Sequence, residues 1–210
     1  MNKKQKYTFI SLMLASTVAA YAQYQMNVFS IDLITAYQIS ASRFAFLFTA
    51  PMLPAIFLSI PLGKLSDKIG YRNAIQLGLA FTILGLTGRI FAESYSTLWI
   101  CMAFSGASSI TLFVNSARVL EEVVPAEKSV LFMGIYTTAS MLAQTFATAT
   151  SAVLYSTLQK AYVGALVYAV VITVIWAGNY CIEKENAENT EFRNADRSSE
   201  QKGKFSDVLS

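Results

Sequence analysis

The residues of this sequence with the clearest capacity for chemistry lie in the charged segment Gly63–Asn73. This segment carries Lys64, Asp67, Lys68 and Arg72, and long apolar runs stand on both sides of it. The interior of a bilayer cannot solvate such charges, so the segment must lie in water between two membrane-length runs. Its three basic residues predict the cytoplasmic side of the membrane, because cytoplasmic loops are enriched in Lys and Arg.

Composition places the chain among membrane proteins rather than soluble domains. Hydrophobic residues make up 54% of the sequence and charged residues 14%. The charges cluster at the ends of apolar runs and near the C-terminus, a profile typical of a polytopic membrane protein. Once the loops are assigned, no basic face is left for nucleic acid, so we expect no nucleic-acid partner.

Patterns of catalysis and metal binding are missing from the sequence. There is no His, which removes the commonest proton shuttle and metal ligand. There is also no HExxH, GxSxG or P-loop pattern. Cys101 and Cys181 are predicted near opposite ends of their helices relative to the membrane, so we expect neither a disulfide nor a metal pair. The sequence therefore predicts neither an enzyme nor a bound cofactor.

Apolar runs long enough to cross a bilayer predict an all-α integral membrane protein with six transmembrane helices. The predicted spans cover residues 8–29, 43–62, 74–92, 97–116, 129–155 and 161–180. Basic residues concentrate in the segments assigned to the inside, and the outside holds Arg43, Arg89 and Lys160. This bias predicts the plasma (inner) membrane with both termini cytoplasmic. A membrane domain at 1–182 is followed by a polar tail at 183–210, which we expect to be disordered or loosely helical.

The first apolar run allows two interpretations. Lysines precede it, and with the segment Ala20–Ala22 they resemble a cleavable signal peptide. The run nevertheless continues to Phe29 and so reaches the roughly 20 residues that span a bilayer. We favour a retained first helix, and N-terminal sequencing of the inserted protein would distinguish the two, because cleavage would leave Gln23 first.

Proline concentrates in the second predicted span, which holds Pro51, Pro54 and Pro61. Each proline removes a helix hydrogen bond, so the sequence predicts a kinked or broken helix. Structural shaping is the simpler interpretation, and a bend that rocks during transport is the alternative.

The charged segment resembles the signature of the major facilitator superfamily, written G-x-L-x-D-[RK]-x-G-[RK]-[RK]. The positions that match are Gly63, Leu65, Asp67, Lys68, Gly70 and Arg72. Ser66 suits the usual small residue, whereas Tyr71 stands where a second basic residue is common. The segment 118–128, in which a Pro precedes acidic and basic residues, resembles the family's next cytoplasmic loop.

This resemblance implies a fold and a function. The fold would be the N-terminal half of a major facilitator transporter, built of two three-helix repeats, and the function would be transport of a small solute by alternating access. The residues implied for a conformational lock on the cytoplasmic side are Gly63, Asp67, Lys68, Gly70 and Arg72. In the family the carboxylate at the position of Asp67 lies near the start of a helix of the opposite half and pairs with nearby arginines, so that the helix N-terminus and these cations stabilise it.

A second family pattern, R-x-x-Q-G on the fourth span, is matched only at its glycine, Gly106. Met102 stands where the arginine would fall, and Ser105 replaces the glutamine. The family links that arginine to proton coupling, and no Asp or Glu lies within a predicted span. We therefore expect facilitated diffusion, or coupling supplied by another half.

Polar residues within the predicted spans are the candidates for a solute cavity, which the family lines mainly with its first and fourth spans and, in part, with its second and fifth. Carried over by position, they are Tyr21, Tyr24, Gln25, Ser108, Asn115 and Gln144. Hydrogen bonds between packed helices explain each of them about as well. Arg89, near the outer end of the third span, is explained most simply by a side chain that snorkels to the interface, and contact with an anionic solute is the alternative.

The resemblance covers residues 8–182, which correspond to one half of a family transporter. The halves of such transporters are parallel repeats, so a second copy of this chain or a separate six-helix half could assemble with it in the bilayer. A non-transporting membrane subunit or scaffold, or a truncated fragment, is the alternative. The solute and the direction of transport are not indicated.

Overall fold

The computed structural model describes residues 3–179. Cys181 and the polar tail 183–210 lie outside these described residues. Within them the chain is helical, with no β-strand. The α-helices are α1 (Lys3–Tyr24), α2 (Ser30–Ala36), α3 (Ala41–Leu47), α4 (Met52–Ile69), α5 (Tyr71–Ile90), α6 (Tyr95–Val123), α7 (Ser129–Leu154) and α8 (Leu158–Asn179).

Four helical segments of the described residues are both long and apolar enough to cross a membrane. They are Ala41–Ile69, which combines α3 and α4, Tyr95–Val123, Ala126–Leu154 and Leu158–Asn179. Helices α1 and α5, with 22 and 20 residues, have sufficient length. Their sequences are less apolar than those of the four segments above. The count of six spans therefore stays a prediction.

The proline-rich span is divided into α3 and α4 at residues 48–51. Pro51 stands immediately before α4, and Pro61 lies inside it. The backbone at Pro51 also lies close to the backbone of α6 at Gly106. An ideal Cβ added at Gly106 would lie 2.5 Å from the Cα of Pro51 and 2.6 Å from its carbonyl carbon. The glycine is required because no side chain fits between these two backbones.

The segment predicted as a charged loop is mostly helical. Helix α4 continues to Ile69 and α5 begins at Tyr71, so the chain reverses at Gly70 alone. Gly70 has φ +84°, a conformation that favours glycine because it has no Cβ. Two other segments between predicted spans are also partly helical. Helix α2 lies within residues 30–42, between the first and second predicted spans, and α6 continues beyond the fourth predicted span to Val123.

Helices α5 and α6 pack closely because small residues of α5 face α6. A Cβ at Gly85 would lie 2.8 Å from the backbone oxygen of Cys101, and one at Gly88 would lie 2.5 Å from the Cys101 Sγ. Helix α1 packs against α5, α6 and α7. Apolar side chains with no more than 1% exposure fill the space between these helices, among them Leu12, Ile75, Leu79, Leu86, Val119 and Leu120. The core therefore forms around α1, α5 and α6, and buried side chains of α7 and α8 complete it.

Candidate solute cleft and charged turn

A cleft of about 400 Å³ opens between α1, α4, α6 and α7. Its lining combines apolar side chains with uncharged polar ones. The polar side chains are Ser16, Gln23, Tyr24, Ser109, Tyr136, Thr137, Ser140 and Gln144. No Asp, Glu, Lys or Arg of the described residues lines it. A concave, largely apolar site with a few polar groups is the usual form of a small-molecule site.

The polar groups of the cleft fall into two classes. Ser16 and Ser109 donate to carbonyls of their own helices, at 2.7 Å to Met13 and 2.9 Å to Ser105, so their oxygens are left mainly as acceptors. Other groups have no hydrogen-bond partner among residues 3–179, namely the side chains of Gln23, Tyr24, Ser140 and Gln144. These unpaired groups can both donate and accept, so the cleft can hydrogen-bond a polar solute.

The structure brings Tyr24 and Gln144, two of the six predicted cavity residues, into this cleft. Tyr21 faces a different concavity, between α1, α7 and α8, where its hydroxyl lies 3.0 Å from the Thr150 Oγ1. Gln25 is fully buried in the 3-10 turn Gln25–Asn27 that follows α1. Its amide has no hydrogen-bond partner among the described residues.

Ser108 and Asn115 lie on the side of α6 that packs on its neighbours rather than on the cleft side. The Ser108 hydroxyl lies 2.6 Å from the Thr82 Oγ1 of α5. The Asn115 Nδ2 donates to the Ser66 Oγ of α4 at 3.0 Å. Both side chains are fully buried, so the packing interpretation describes their contacts in this structure.

Six polar residues of the cleft were not among the predicted ones: Ser16, Gln23, Ser109, Tyr136, Thr137 and Ser140. The spacing of these residues along their helices could have indicated that they share a face with predicted cavity residues. Residues three or four apart lie on one face of a helix, so Gln144 points to Ser140 and Thr137 on α7. Gln23 similarly points to Ser16 two turns earlier on α1.

The charged segment is tied to the end of α6 by two ion pairs. The Arg118 Nη1 donates to the Asp67 Oδ1 at 2.6 Å. The Arg72 Nη2 lies 3.1 Å from the Oε1 of Glu122. Tyr71, the departure from the family pattern, donates its hydroxyl to the same Glu122 carboxylate. The ends of α4 and α5 are thus both bound to α6 within one chain.

Lys68 and Gly63 complete the predicted lock residues. Lys68 lies in the last turn of α4, where a cation is favourable near the C-terminal end of the helix dipole. Gly63 has open space around its missing Cβ. The structure therefore shows specific contacts for Asp67 and Arg72, and a conformational reason for Gly70.

Arg89 is buried, with 2% of its surface exposed, so its predicted snorkelling to the interface is wrong. Its Nη1 donates to the carbonyl of Ala22 on α1, and its Nη2 donates to the Ser105 hydroxyl on α6. No carboxylate among residues 3–179 pairs with it. The guanidinium of Arg89 thereby connects α5 to both α1 and α6.

Together, membrane-length apolar helices and a solute-sized cleft define a multi-pass helical membrane protein with a candidate transport site. The sequence profile of the Major Facilitator Superfamily matches residues 12–208. The chain belongs to this family of membrane transporters. No curated protein sequence matches it.

A solved structure shares the fold of this chain. It is a bacterial homolog of the human lysosomal transporter Spinster, in an inward-facing and unoccupied conformation. The TM-score is 0.71 at 14% sequence identity, with 86% of this chain and 43% of that chain covered. At this identity the likeness shows the fold alone. This chain spans less than half the length of that transporter.

Proposed function

We propose that this chain is one half of a major facilitator type transporter that moves a small solute by alternating access. The observation that carries the proposal is the cleft between α1, α4, α6 and α7. It presents the unpaired groups of Gln23, Tyr24, Ser140 and Gln144 in an otherwise apolar surrounding. Unpaired polar groups in a membrane domain are costly unless they meet a ligand, water or another helix.

The second half would be another copy of this chain or a separate six-helix chain. Large apolar side chains are exposed on two of the four helices that line the cleft: Ile56, Phe57 and Ile60 on α4, and Met141, Leu142 and Phe146 on α7. A partner that packs against α4 and α7 would cover these side chains and close the cleft against lipid. With six spans both termini lie on one side, so two copies can pair in the same orientation, and a symmetric pair would be isologous.

The charged segment would act on the cytoplasmic side of the plasma membrane, with both chain termini on that side. Its pairs Asp67–Arg118 and Arg72–Glu122 hold the ends of α4 and α5 against α6. Alternating access needs contacts that form in one state and open in another. The exposed pair Asp67–Arg118 suits this role because such a pair contributes only about 0–1 kcal/mol and can therefore be exchanged.

The proposal is tested by reconstituting the purified chain in liposomes and measuring uptake of a panel of small solutes. A variant of the cleft, Gln144→Leu, should lower uptake, whereas Gln159→Leu, at an exposed position of α8 outside the cleft, should leave it unchanged. Crosslinking of the same vesicles reports pairing. Equal uptake by the two variants would contradict the assignment of the cleft.

A non-transporting membrane subunit is the second candidate function. It is favoured by the exposed apolar faces of α4 and α7 and by the length of the chain relative to the transporter that shares its fold. Paired chains that take up no solute of the panel would support this alternative.

A further inference from the structure

We propose that a groove at one end of the helix bundle binds the headgroup of an anionic phospholipid. The groove has a volume of about 540 Å³ and is lined by Ser42, Arg43 and Phe46 on α3 and by Tyr95 and Ser96 on α6. The ligand is a phosphodiester with one negative charge and a hydroxylated headgroup, as in phosphatidylglycerol. This inference concerns the lipid that surrounds the protein and does not depend on solute transport.

The groove lies where two membrane-length helical segments begin. Ala41–Ile69 and Tyr95–Val123 both start at this end of the bundle, because α4 runs from here to the turn at Gly70 and α5 returns from it. The start of an apolar span meets the headgroup region of a bilayer, where Tyr and Trp are enriched. Phe46 and Trp99 stack at the groove, with ring centroids 6.3 Å apart. A lipid whose headgroup lies in the groove would therefore place its acyl chains beside these rings.

The guanidinium of Arg43 is oriented by a neighbour that does not use its hydrogen-bond donors. Its Cζ lies 6.0 Å from the centroid of the Tyr95 ring, and the Tyr95 hydroxyl donates to the Arg43 backbone carbonyl at 3.0 Å. No hydrogen bond or ion pair occupies the side-chain N–H groups of Arg43 within residues 3–179. Arginine binds phosphate oxygens through two parallel N–H donors. Arg43 is thus positioned to hold the phosphate of a lipid.

Charge and hydrogen-bonding capacity select among the phospholipids. Asp32 and Glu93 are the acidic residues at this end of the described chain, and neither lines the groove or pairs with Arg43. An ammonium headgroup would therefore lie near the arginine without a carboxylate to offset its charge. The hydroxyls of Ser42 and Ser96 have no partner among residues 3–179, and a hydroxyl can both donate and accept. These groups match a headgroup with one negative phosphate and neutral hydroxyls.

The fluorescence of Trp99 tests the proposal. The sequence has two tryptophans, and Trp176 lies at the opposite end of the bundle, where its Nε1 donates to the Arg72 carbonyl at 3.4 Å. In a Trp176→Phe background, the protein is reconstituted in phosphatidylcholine vesicles with a minor fraction of brominated phosphatidylglycerol or brominated phosphatidylcholine. Bromine quenches an indole at short range. We expect phosphatidylglycerol to be preferred at Trp99 by roughly fivefold, which corresponds to about 1 kcal/mol for one arginine at an anionic lipid surface.

Matched variants separate the groove from the general attraction of cations for anionic lipid. Arg43→Gln should remove the preference, and because Arg43 is exposed the fold should persist. Lys160→Gln removes an exposed cation at the same end, outside the groove, and should retain the preference. Equal quenching by the two lipids before Arg43 is changed, or a preference that persists in Arg43→Gln, would overturn the proposal.

The wild-type protein provides a second measurement in case Trp176→Phe does not fold. Trp176 is 2% exposed, so in the wild type it adds a background that the lipids do not reach. The difference between brominated phosphatidylglycerol and brominated phosphatidylcholine should therefore have the same sign in both proteins. A difference that is absent from the wild type would contradict the site.

Two further arms test the identity of the ligand. Brominated phosphatidylethanolamine should quench Trp99 no more than brominated phosphatidylcholine does, and quenching equal to that by phosphatidylglycerol would contradict the headgroup assignment. Inorganic phosphate, exchanged for chloride at constant ionic strength, should leave the quenching by phosphatidylglycerol in place, because acyl chains hold the lipid at the groove. Complete relief by inorganic phosphate would identify the ligand as a free anion and overturn the lipid assignment.

Discussion

Replacing Gly106 by Ala is the sharpest perturbation of the packing that shapes the cleft. The new Cβ would lie 2.5 Å from the Cα of Pro51, whereas ordinary contacts begin at 3.4 Å. The carbonyl oxygen of Pro51 would lie closer still, so the backbones of α6 and of the break before α4 would have to separate by at least about 0.9 Å. The obstacle is backbone, so no side-chain rotation can relieve it.

The expected size of this effect follows from two opposing terms. Overpacking costs about 1–3 kcal/mol, and a rigid backbone contact places this case near 3. Ala gains about 1 kcal/mol over Gly in helix propensity. A net loss of about 2 kcal/mol corresponds to roughly a thirtyfold change in the unfolding equilibrium constant.

Equilibrium unfolding in mixed detergent and SDS micelles, followed by circular dichroism, measures this loss. The matched control is Gly134→Ala on α7, where nothing lies within 4 Å of the added Cβ, so propensity alone should act. Gly106→Ala should be less stable than this control by about 3 kcal/mol, the full overpacking term. Equal stabilities for the two variants would show that α6 and Pro51 are not in contact as described.

Three further predictions concern the charged segment and the cleft. Asp67→Asn should lower solute uptake several-fold without blocking membrane insertion. The stability of this variant should change by no more than about 1 kcal/mol, because the pair of Asp67 with Arg118 is exposed. Unchanged uptake would remove the lock as a mechanism. Gly70→Ala should destabilise the fold by about 1–3 kcal/mol, because its φ of +84° disfavours a side chain, whereas Gly63→Ala should not, as unfolding midpoints will show. Tyr24→Phe should raise the KM for uptake with little change in melting temperature, and an unaltered KM would exclude its hydroxyl from solute contact.

The membrane class and the family were open to prediction from sequence because both depend on local signals. Apolar run length and the charged pattern from Gly63 to Asn73 are read directly from neighbouring residues, and the family assignment is confirmed by the match over residues 12–208. The prolines likewise predicted a disrupted second span, which the structure shows as a break at residues 48–51.

Contacts between distant parts of the chain were not open to prediction in the same way. Arg89 was expected at the interface because it lies near the outer end of the third predicted span. Its acceptors, Ala22 and Ser105, are supplied by other helices. The rotation of each helix about its axis also determines which side chains line the cleft. Tyr24 faces the cleft, whereas Ser108 faces α5. Helix rotation depends on packing such as the Gly106–Pro51 contact, which no single-helix pattern contains.

The central claim, that this chain transports a solute only when joined to a second half, is tested most directly by counting chains per vesicle. Fluorescently labelled protein is reconstituted at low density, photobleaching steps give the number of chains, and uptake of the solute that the panel identifies is recorded vesicle by vesicle. We predict uptake in vesicles that hold two or more chains and none in vesicles that hold one. Uptake by single-chain vesicles would contradict the claim.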